Sequence, residues 1–326
     1  MTEIEHSTEF WPLAQPFHIA THTITGIETV HVTVSRDGVK GCGEGVVPIV
    51  FDVTLDDTVE ALVSAKHAVE AGEDVLSVCN ALPAGPARNA LDCAIWDMKA
   101  KASGASIWSL AGLSPGPREL DVGSTIGIGS LDDMAQAALR SQHRVLKIKL
   151  NTEQVIERVA AVRNARPDAK LIVDANQSWT VEFLQAHLDE LSRLGVQMIE
   201  QPLPVNGDDG LGGIRSAIPI FADESCHTTA DIRRVAALYQ GVNIKLDKTG
   251  GLTEALALAA TARQSGLGVM VGCMAGTSLS MAPAYVIASL SDWVDLDGPL
   301  LLASDRPSPM TYRDGKISHF SPALWG

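Results

Sequence analysis

The order of apolar and polar residues first follows the pattern of strands. Within residues 1 to about 50, the stretch 29–34 alternates apolar and polar side chains, and a turn sequence at Asp37-Gly38 separates it from a second run that ends near Gly45. Period two places alternate side chains on one face of a strand, and Asp-Gly is a hairpin turn sequence. The pattern therefore predicts an antiparallel meander.

Helical spacing replaces this alternation from Leu55 to about Gly104. In residues 87–98 the apolar positions 90, 91, 94, 95 and 98 share one face, which predicts a helix packed firmly on another element. Strands followed by helices, without alternation, favour a small α+β domain. The segments 17–25 and 46–53 are predicted to be loops that could close over a site.

A third pattern begins after Pro117, where apolar strand-like runs alternate with segments of helical periodicity. The runs begin near residues 121, 145, 171, 197, 219, 243, 268 and 292. Eight such units predict an α/β fold with a parallel sheet closed into a (β/α)8-type barrel, whose chemistry lies at the carboxyl ends of the strands. We predict a capping domain over residues 1–117, a barrel over 118–302, and a tail, 303–326, that returns to the first domain.

Composition limits the possible partners. The chain has 326 residues, a formal charge of -14 and a pI near 5.0, and its basic residues are scattered. Nucleic acids and anionic membranes require clustered basic residues, so neither is an expected partner. No apolar run approaches the roughly 18 residues that span a bilayer, and the first residues do not resemble a signal peptide. A cytoplasmic protein with five reduced cysteines is the expectation.

Three carboxylates end consecutive predicted strands. Asp174, Glu200 and Asp223 each follow a short apolar run and lie 26 and 23 residues apart. One acid at a strand end is more often a helix cap. Three on neighbouring parallel strands lie at one end of the barrel, where hard oxygen ligands can share a divalent cation. We therefore predict a metal site formed by these three residues.

Lysines lie on the strands at either side of the three acids. Lys147 and Lys149 share a face of the second strand, and Lys245 ends the sixth. Ordinary ion pairs are the alternative, but buried pairs are costly. Lysines near a cation and near each other are expected to have depressed pKa values and to act as bases. Because Lys149 and Lys245 would approach a bound carbon from opposite faces, this arrangement favours inversion of a stereocentre.

The last strand offers a second acidic pair. Asp295 and Asp297 are two residues apart and so share a face. A helix cap plus a surface acid is the simpler interpretation of either residue alone. At the end of a strand in an already charged barrel, the pair is better interpreted as a clamp that binds a substrate ammonium group through charge-assisted hydrogen bonds.

At these residues the sequence resembles the enolase superfamily, in its muconate lactonising subgroup, and most closely the dipeptide epimerases of the L-Ala-D/L-Glu epimerase type. The resemblance covers nearly the whole chain. It is carried by Lys147-Ile148-Lys149, Val173-Asp174-Ala175-Asn176, Ile199-Glu200-Gln201-Pro202, residues 222–227, residues 243–252, residues 295–299 and the helix 88–97.

The resemblance implies an enolase-like fold, with an N-terminal α+β capping domain and a C-terminal modified TIM barrel of the (β/α)7β type. It implies a cytoplasmic isomerase of murein peptide metabolism that acts on a dipeptide and can assemble as a homo-oligomer. It implies one Mg2+ and a two-lysine 1,1-proton transfer through a metal-stabilised enediolate. The implied residues are Asp174, Glu200 and Asp223 for the metal; Lys149 and Lys245 as the acid/base pair; Lys147, Asn176 and Glu224 in support; and Asp295, Asp297, Thr125, Cys273, Met274 and His22 for the substrate.

Two features bear on the substrate. Residues 17–24 contain no arginine, which members acting on a Glu side chain often have there, so His22 or Thr21 would have to substitute or the epimerised residue differs from Glu. The seventh strand ends at Cys273-Met274 without the histidine of mandelate-type relatives, which excludes those relatives.

The alternatives within this fold are N-succinylamino acid racemases and o-succinylbenzoate synthases, which share the metal and the lysines but bind no ammonium group. A Schiff-base aldolase that uses Lys245 is a more distant alternative, and a non-catalytic binding protein is the remaining one.

Overall fold

The structure is a computed structural model that describes residues 2–18, 23–48 and 53–326. Its first element is an antiparallel sheet of β1 (Thr2–His18), β2 (Thr23–Arg36) and β3 (Val39–Val46). This sheet is the predicted meander. The predicted loop at 17–25 is wrong at both ends, because Phe17 pairs with Ile24 and His18 with Thr23 after a register shift in β1. The middle of the second predicted loop, 46–53, lies outside the described residues.

Four helices follow: α1 (Leu55–Glu70), α2 (Val75–Ala81), α3 (Pro86–Ser103) and α4 (Ile107–Leu110). The predicted apolar face of α3 packs directly on β3. A Cβ atom at Gly43 would lie 2.1 Å from the carbonyl oxygen of Ala90, so only glycine permits this approach. Sheet and helices therefore form one packed capping layer.

The barrel is an eight-stranded, all-parallel sheet in which each strand pairs with its neighbours in chain order. Its strands are β5 (Gly123–Ile126), β6 (Val145–Lys149), β7 (Lys170–Asp174), β8 (Val196–Glu200), β9 (Ile220–Ala222), β10 (Gly241–Ile244), β11 (Gly268–Val271) and β12 (Trp293–Val294). A Cβ atom at Gly123 would lie 3.3 Å from the carbonyl oxygen of Val294, so the first and last strands meet and nearly close the barrel.

Helices connect the strands on the outside of the barrel. They are α5 (Leu131–Arg140), α6 (Val155–Ala165), α7 (Val181–Arg193), α8 (Ile232–Val235), α9 (Leu246–Thr249), α10 (Leu252–Gln264), α11 (Ser278–Ala288) and α12 (Gly298–Leu301), with 3-10 turns at Val205–Gly213 and Thr229–Asp231. The predicted α/β fold, a capping domain on a modified barrel, is confirmed. None of the helices in the described ranges is long and apolar enough to cross a membrane.

The chain end lies against the capping layer. A small sheet of β4 (Glu119–Asp121), β13 (Tyr312–Arg313) and β14 (Lys316–Ser318) precedes it. The fully buried indole of Trp325 donates to the carbonyl oxygen of Cys93 at 3.0 Å, and the amide of Gly326 donates to Asp97 at 2.6 Å. The last residues thus anchor α3.

Substitution of Trp325 by alanine should lower the free energy of unfolding by about 3 to 5 kcal/mol, because it leaves a large cavity and removes the hydrogen bond to Cys93. Urea denaturation measures this loss. Leu139→Ala, at an exposed position, should stay within about 0.5 kcal/mol of the parent. Equal effects of the two substitutions would show that the chain end does not anchor the fold.

Candidate active site

A cavity of about 120 Å3 lies between the carboxyl ends of the barrel strands and the capping domain. Its barrel side is charged and its capping side is apolar. The charged side is lined by Lys147, Lys149, Asn176, Asp223, Glu224, Lys245, Asp295 and Asp297. The apolar side, called the roof below, consists of Leu13, Phe17, Ile24, Ile27, Val46, Met274, Ala275 and Leu301. The cavity therefore suits a ligand that is charged at one end.

The three predicted metal-binding acids lie side by side beneath this cavity. In the parallel ladder Asp174 is paired with Glu200, and Asp223 directly follows β9. All three side chains are buried. Asp174 accepts from the amide of Asn176 at 2.9 Å, and Glu200 accepts from the side-chain amide of Asn243 at 2.7 Å. Neighbouring strands thus bring together acids that are far apart in sequence.

The lysines are paired with these acids. The Lys147 ammonium lies 2.7 Å from Glu200, 2.9 Å from Asp295 and 3.1 Å from Asp174. Lys149 donates to Asp174 at 2.6 Å, and Lys245 donates to Asp223 at 2.7 Å. Three strands, β7, β8 and β9, separate the strands that carry Lys149 and Lys245, which places the two amines on opposite sides of the acids.

The predicted depression of the lysine pKa values depends on a nearby cation and stays a prediction, while the protein groups alone shift the pKa values of Lys147 and Lys245 in the opposite direction. Burial alone would lower the pKa of Lys147, but Asp295, Glu200 and Asp174 together raise it well above its ordinary value. Burial also opposes the shift at Lys245, where Asp223 raises the pKa. The physical reason is that the acids outweigh the effect of burial at both lysines.

The acids respond in opposite directions. Burial would raise the pKa of Asp174, but Lys149 and Lys147 lower it to about 2, and the lysines around Asp223 lower its pKa well below the ordinary range. Glu200 has the reverse balance, because burial and the charge of Asp174 raise its pKa to about 7. Glu200 is the acid whose negative charge is compensated least.

Lys248 is a site residue to which the sequence pattern assigns no role. Its fully buried ammonium lies 2.7 Å from Asp223 Oδ1 and 2.9 Å from each of the carbonyl oxygens of Cys226 and Asn243. Asn243 is a second such residue, although the two-residue period places it on the same strand face as Lys245. The alternation of side chains along the strand could therefore have identified Asn243. It could not have identified Lys248, which lies in α9 after the strand.

The carboxylates of Asp174, Glu200 and Asp223 are chemically suited to bind a divalent cation, but in this structure their side chains are not arranged to do so. Among the described residues, no three His, Cys, Asp or Glu side chains are grouped closely enough to hold a metal ion. The acids instead face lysines, which supply the positive charge. Glu200 Oε2, for example, lies 2.7 Å from the Lys147 ammonium. Six carboxylates and four lysines are buried together here, so the acids outnumber the cations, and an added divalent cation would reduce this excess. These charged groups are Asp174, Glu200, Asp223, Glu224, Asp295, Asp297, Lys147, Lys149, Lys245 and Lys248.

The second acidic pair, Asp295 and Asp297, lines the cavity as predicted for an ammonium clamp. Asp297 Oδ2 accepts from the amide of Thr125 at 2.7 Å, so Thr125 orients this carboxylate through its backbone. Asp295 Oδ1 is buried and accepts no hydrogen bond within the described ranges. Burial and the charge of Asp295 raise the pKa of Asp297 to about 6. A cationic group placed here would relieve both carboxylates.

The other predicted residues fall into two groups. Asn176 accepts from Lys149 at 3.1 Å, and Glu224, Cys273 and Met274 line the cavity. Burial, together with the charges of Asp223 and Asp174, raises the pKa of Glu224 to about 7. The substrate-binding prediction for His22 lies outside the described residues.

Two family models match the chain. The N-terminal domain of the mandelate racemase and muconate lactonizing enzymes matches residues 1–112, and an enolase C-terminal domain-like model matches residues 130–319. The chain therefore belongs to the enolase superfamily.

Similar proteins of known activity place the chain more narrowly within the enolase superfamily. The L-Ala-D/L-Glu epimerase of Escherichia coli is 40% identical over 320 residues, which cover 97% of this chain and 99% of the relative. An N-acetyl-D-glutamate racemase from a Pseudoalteromonas species is 44% identical over 254 residues, covering 78% and 80% of the two chains. Within the superfamily the chain groups with the dipeptide epimerases, and it is an isomerase.

Solved structures agree with this placement. An enolase family member from Agrobacterium tumefaciens, with bound sodium and L-Ala-L-Glu, superposes with a TM-score of 0.96 at 37% identity and full coverage of both chains. A dipeptide epimerase from Enterococcus faecalis, in complex with Mg and L-Leu-L-Tyr, gives a TM-score of 0.90 at 26% identity and covers 99% of this chain and 98% of its own. Both structures hold a metal ion and a dipeptide.

The Lys248→Met substitution should destabilise the protein by about 3 to 5 kcal/mol, because it leaves the buried Asp223 with one fewer cation and removes the donor to three carbonyl oxygens. Chemical denaturation measures the change. Lys316→Met is the matched control, since its pair with Glu119 is largely exposed and should be worth less than about 1 kcal/mol. A loss no larger than the control's would contradict the structural role given to Lys248.

Proposed function

We propose that the protein is a Mg2+-dependent dipeptide epimerase that inverts the α-carbon of the second residue of an L-Ala-L-Xaa dipeptide. The observation that carries the proposal is the buried Asp295 and Asp297 pair, at the cavity wall beside the lysines and the three acids. Its role in murein peptide metabolism, its cytoplasmic location and its assembly as a homo-oligomer remain predictions.

Lys149 and Lys245 are the proposed acid/base pair. One lysine, as a neutral amine, takes the α-proton from one face of the substrate carbon and becomes an ammonium. The electron pair left on carbon is delocalised into the substrate carboxylate. The other lysine, as an ammonium, then donates a proton to the opposite face, which inverts the stereocentre. Lys147 remains charged beside Asp295 and Glu200 and helps to hold the substrate carboxylate.

Asp174, Glu200 and Asp223 are the proposed metal ligands, after the side chains turn from the lysines towards the cavity. A bound divalent cation would supply positive charge to the substrate carboxylate and would compensate the acids that now raise the lysine pKa values. Asn243 and Gln201 help to keep the acids in place, because Asn243 donates to Glu200 and Gln201 accepts from the amide of Asp223 at 2.9 Å.

The Asp295 and Asp297 pair selects a substrate with a free amino group. An ammonium would donate a hydrogen bond to Asp295 Oδ1 and would reduce the repulsion between the two carboxylates. Glu is the first candidate for the epimerised residue, because the Escherichia coli relative acts on L-Ala-D/L-Glu and the Agrobacterium structure holds L-Ala-L-Glu. The roof is apolar, however, and the described cavity residues include no arginine, so apolar second residues belong in the same substrate panel.

An N-acylamino acid racemase is the second candidate. The 44% identical N-acetyl-D-glutamate racemase favours it, since that reaction needs the same lysines and metal. Such a substrate carries an uncharged amide where the dipeptide has an ammonium. The two candidates therefore differ in whether Asp297 is needed. A Schiff-base aldolase is not supported by the relatives, which are named as epimerases and a racemase.

The main test is incubation of L-Ala-L-Xaa dipeptides with enzyme and Mg2+ in D2O, followed by NMR and chiral analysis. Deuterium should enter at the second α-carbon as the epimer forms, and EDTA should stop both the exchange and the epimerisation.

Lys149→Met and Lys245→Met should each lower turnover by about a hundred- to ten-thousand-fold. Each should still exchange one of the two epimers, with opposite preferences.

Lys170→Met is the matched control for the lysine variants. Lys170 begins β7 at the far end of the barrel, with its ammonium 5.8 Å from the ring centre of Trp293. Its turnover should remain within about twofold of the parent. If no dipeptide in the panel gains deuterium at its second α-carbon, the epimerase proposal is wrong.

The dependence of kcat/KM on pH separates the two candidates. The raised pKa of Asp297 means that its charge is present above about pH 6 and is lost below it. At saturating Mg2+, kcat/KM for a dipeptide should therefore fall as the pH decreases through about 6, while the substrate ammonium stays protonated. Asp297→Asn should lose most dipeptide turnover. If Asp297→Asn retains full dipeptide turnover, or if N-acetyl-L-Glu is the better substrate, the racemase is the correct assignment.

A further inference from the structure

A cluster of charged and polar side chains joins the capping sheet to the barrel outside the cavity. It consists of Glu9 on β1, Glu44 on β3, Thr277 before α11, and Arg306 in the chain end, and is called the interdomain cluster below. None of these four residues lines the cavity. The sequence pattern assigns none of them a role, and the catalytic proposal does not use them.

Arg306 is the centre of this cluster. Its guanidinium lies 2.7 Å from Glu44 Oε2 and donates to Glu9 Oε1 at 2.9 Å. It also lies 4.8 Å from the ring centre of Trp11, within the range of a cation–π contact. One side chain from the chain end thus holds two strands of the capping sheet. A planar guanidinium can bind two carboxylates at once, which a lysine ammonium does with less geometric control.

Glu44 connects Arg306 to the barrel. Its side chain is almost fully buried, and its Oε1 accepts from the amide of Thr277 at 2.9 Å while its Oε2 accepts from the Thr277 hydroxyl. Burial raises the pKa of Glu44, although Arg306 acts in the opposite direction. Thr277 caps the N-terminus of α11 by accepting from the amide of Leu279. A buried acid placed here is therefore tied to both domains, and removal of Arg306 would leave it without its cationic partner.

The roof lies directly beside the interdomain cluster. Leu13, Ile27 and Val46 of the capping sheet pack with Leu302 as one buried apolar group, and Met274 and Ala275 of the loop before Thr277 pack against it. The chain continues from this group to Arg306, with the amide of Ala303 donating to the carbonyl oxygen of Pro12 at 2.9 Å. The cluster and the roof are thus formed by the same three segments: the capping strands, the loop before α11 and the chain end.

We infer that Arg306 is a positioning residue that fixes the capping sheet on the barrel and thereby sets the roof over the substrate. It does not touch the lysines or the predicted metal ligands. Its loss should therefore weaken the binding of substrate, through the roof, much more than it slows proton transfer. This inference rests on the proposed epimerase function for its kinetic test, but the position of the capping sheet can be measured without any turnover.

The kinetic experiment compares the parent enzyme with Arg306→Met, which keeps an apolar stem against Trp11 and removes the charge. KM for the dipeptide that the parent epimerises should rise about tenfold while kcat stays within about threefold. Arg306→Lys, which retains one cation, should show a smaller rise in KM. An unchanged KM in a folded Arg306→Met variant would overturn the inference.

Hydrogen–deuterium exchange provides the measurement that is independent of activity. In Arg306→Met, the amides of Ile27 and Val46 should exchange faster, while those of β7 and β8 keep the parent rate. Faster exchange across all strands alike would indicate a general loss of stability and would overturn the positioning role. If Arg306→Met does not fold, KM and hydrogen–deuterium exchange are measured on Arg306→Lys instead.

Lys101→Met is the matched control. Lys101 also pairs with a buried aspartate, Asp97, at 2.7 Å, but the pair lies within the capping layer and away from the cavity. This variant should keep the parent KM and the parent exchange at Ile27 and Val46. A control that changed as much as Arg306→Met would overturn the inference. If the parent enzyme itself turned over no dipeptide, the proposed function would fail, and the exchange measurement would still decide the role of Arg306.

Discussion

The burial of many like charges in a small volume is the constraint on which the active site depends. Asp174, Glu200 and Asp223 are held side by side by the ladder of parallel strands, in a place where none of them can reach bulk water. Isolated carboxylates cannot remain ionised in such surroundings, so each must be matched by a nearby cation. Lys147 shows how this works, because its one ammonium lies within 3.1 Å of three acids. The catalytic proposal is a consequence of this crowding.

The sequence predicts the barrel and its acids well because both depend on a regular repeat. Each strand unit ends in the same way, so the amino-acid pattern alone assigns Asp174, Glu200 and Asp223 to one end of the barrel, together with Lys149 and Lys245. The structure adds that Thr125 contributes through its backbone amide, which no side-chain pattern could indicate. The metal-ligand and catalytic roles themselves remain proposals.

The features that the sequence did not predict depend on contacts between distant segments. Residues 17 and 18 form strand because they find partners at 24 and 23, after a register shift that period two does not reveal. The role of Lys248 arises from carbonyl oxygens on two different segments of the chain. The raised pKa values of Lys147 and Lys245 depend on how many acids surround each ammonium, which could only be counted in three dimensions.

The anchoring of the capping layer by the chain end has a consequence for synthesis. The capping sheet includes residue 2, yet Arg306, which fastens the sheet, and Trp325 and Gly326, which anchor α3, follow the whole barrel in the sequence. During translation the first domain therefore leaves the ribosome long before the residues that anchor it are synthesised, and the barrel is synthesised between the two. Such long-range closure is slow, because the whole barrel separates the two ends. A closed cavity therefore requires the segment after the barrel to pack back onto the capping layer.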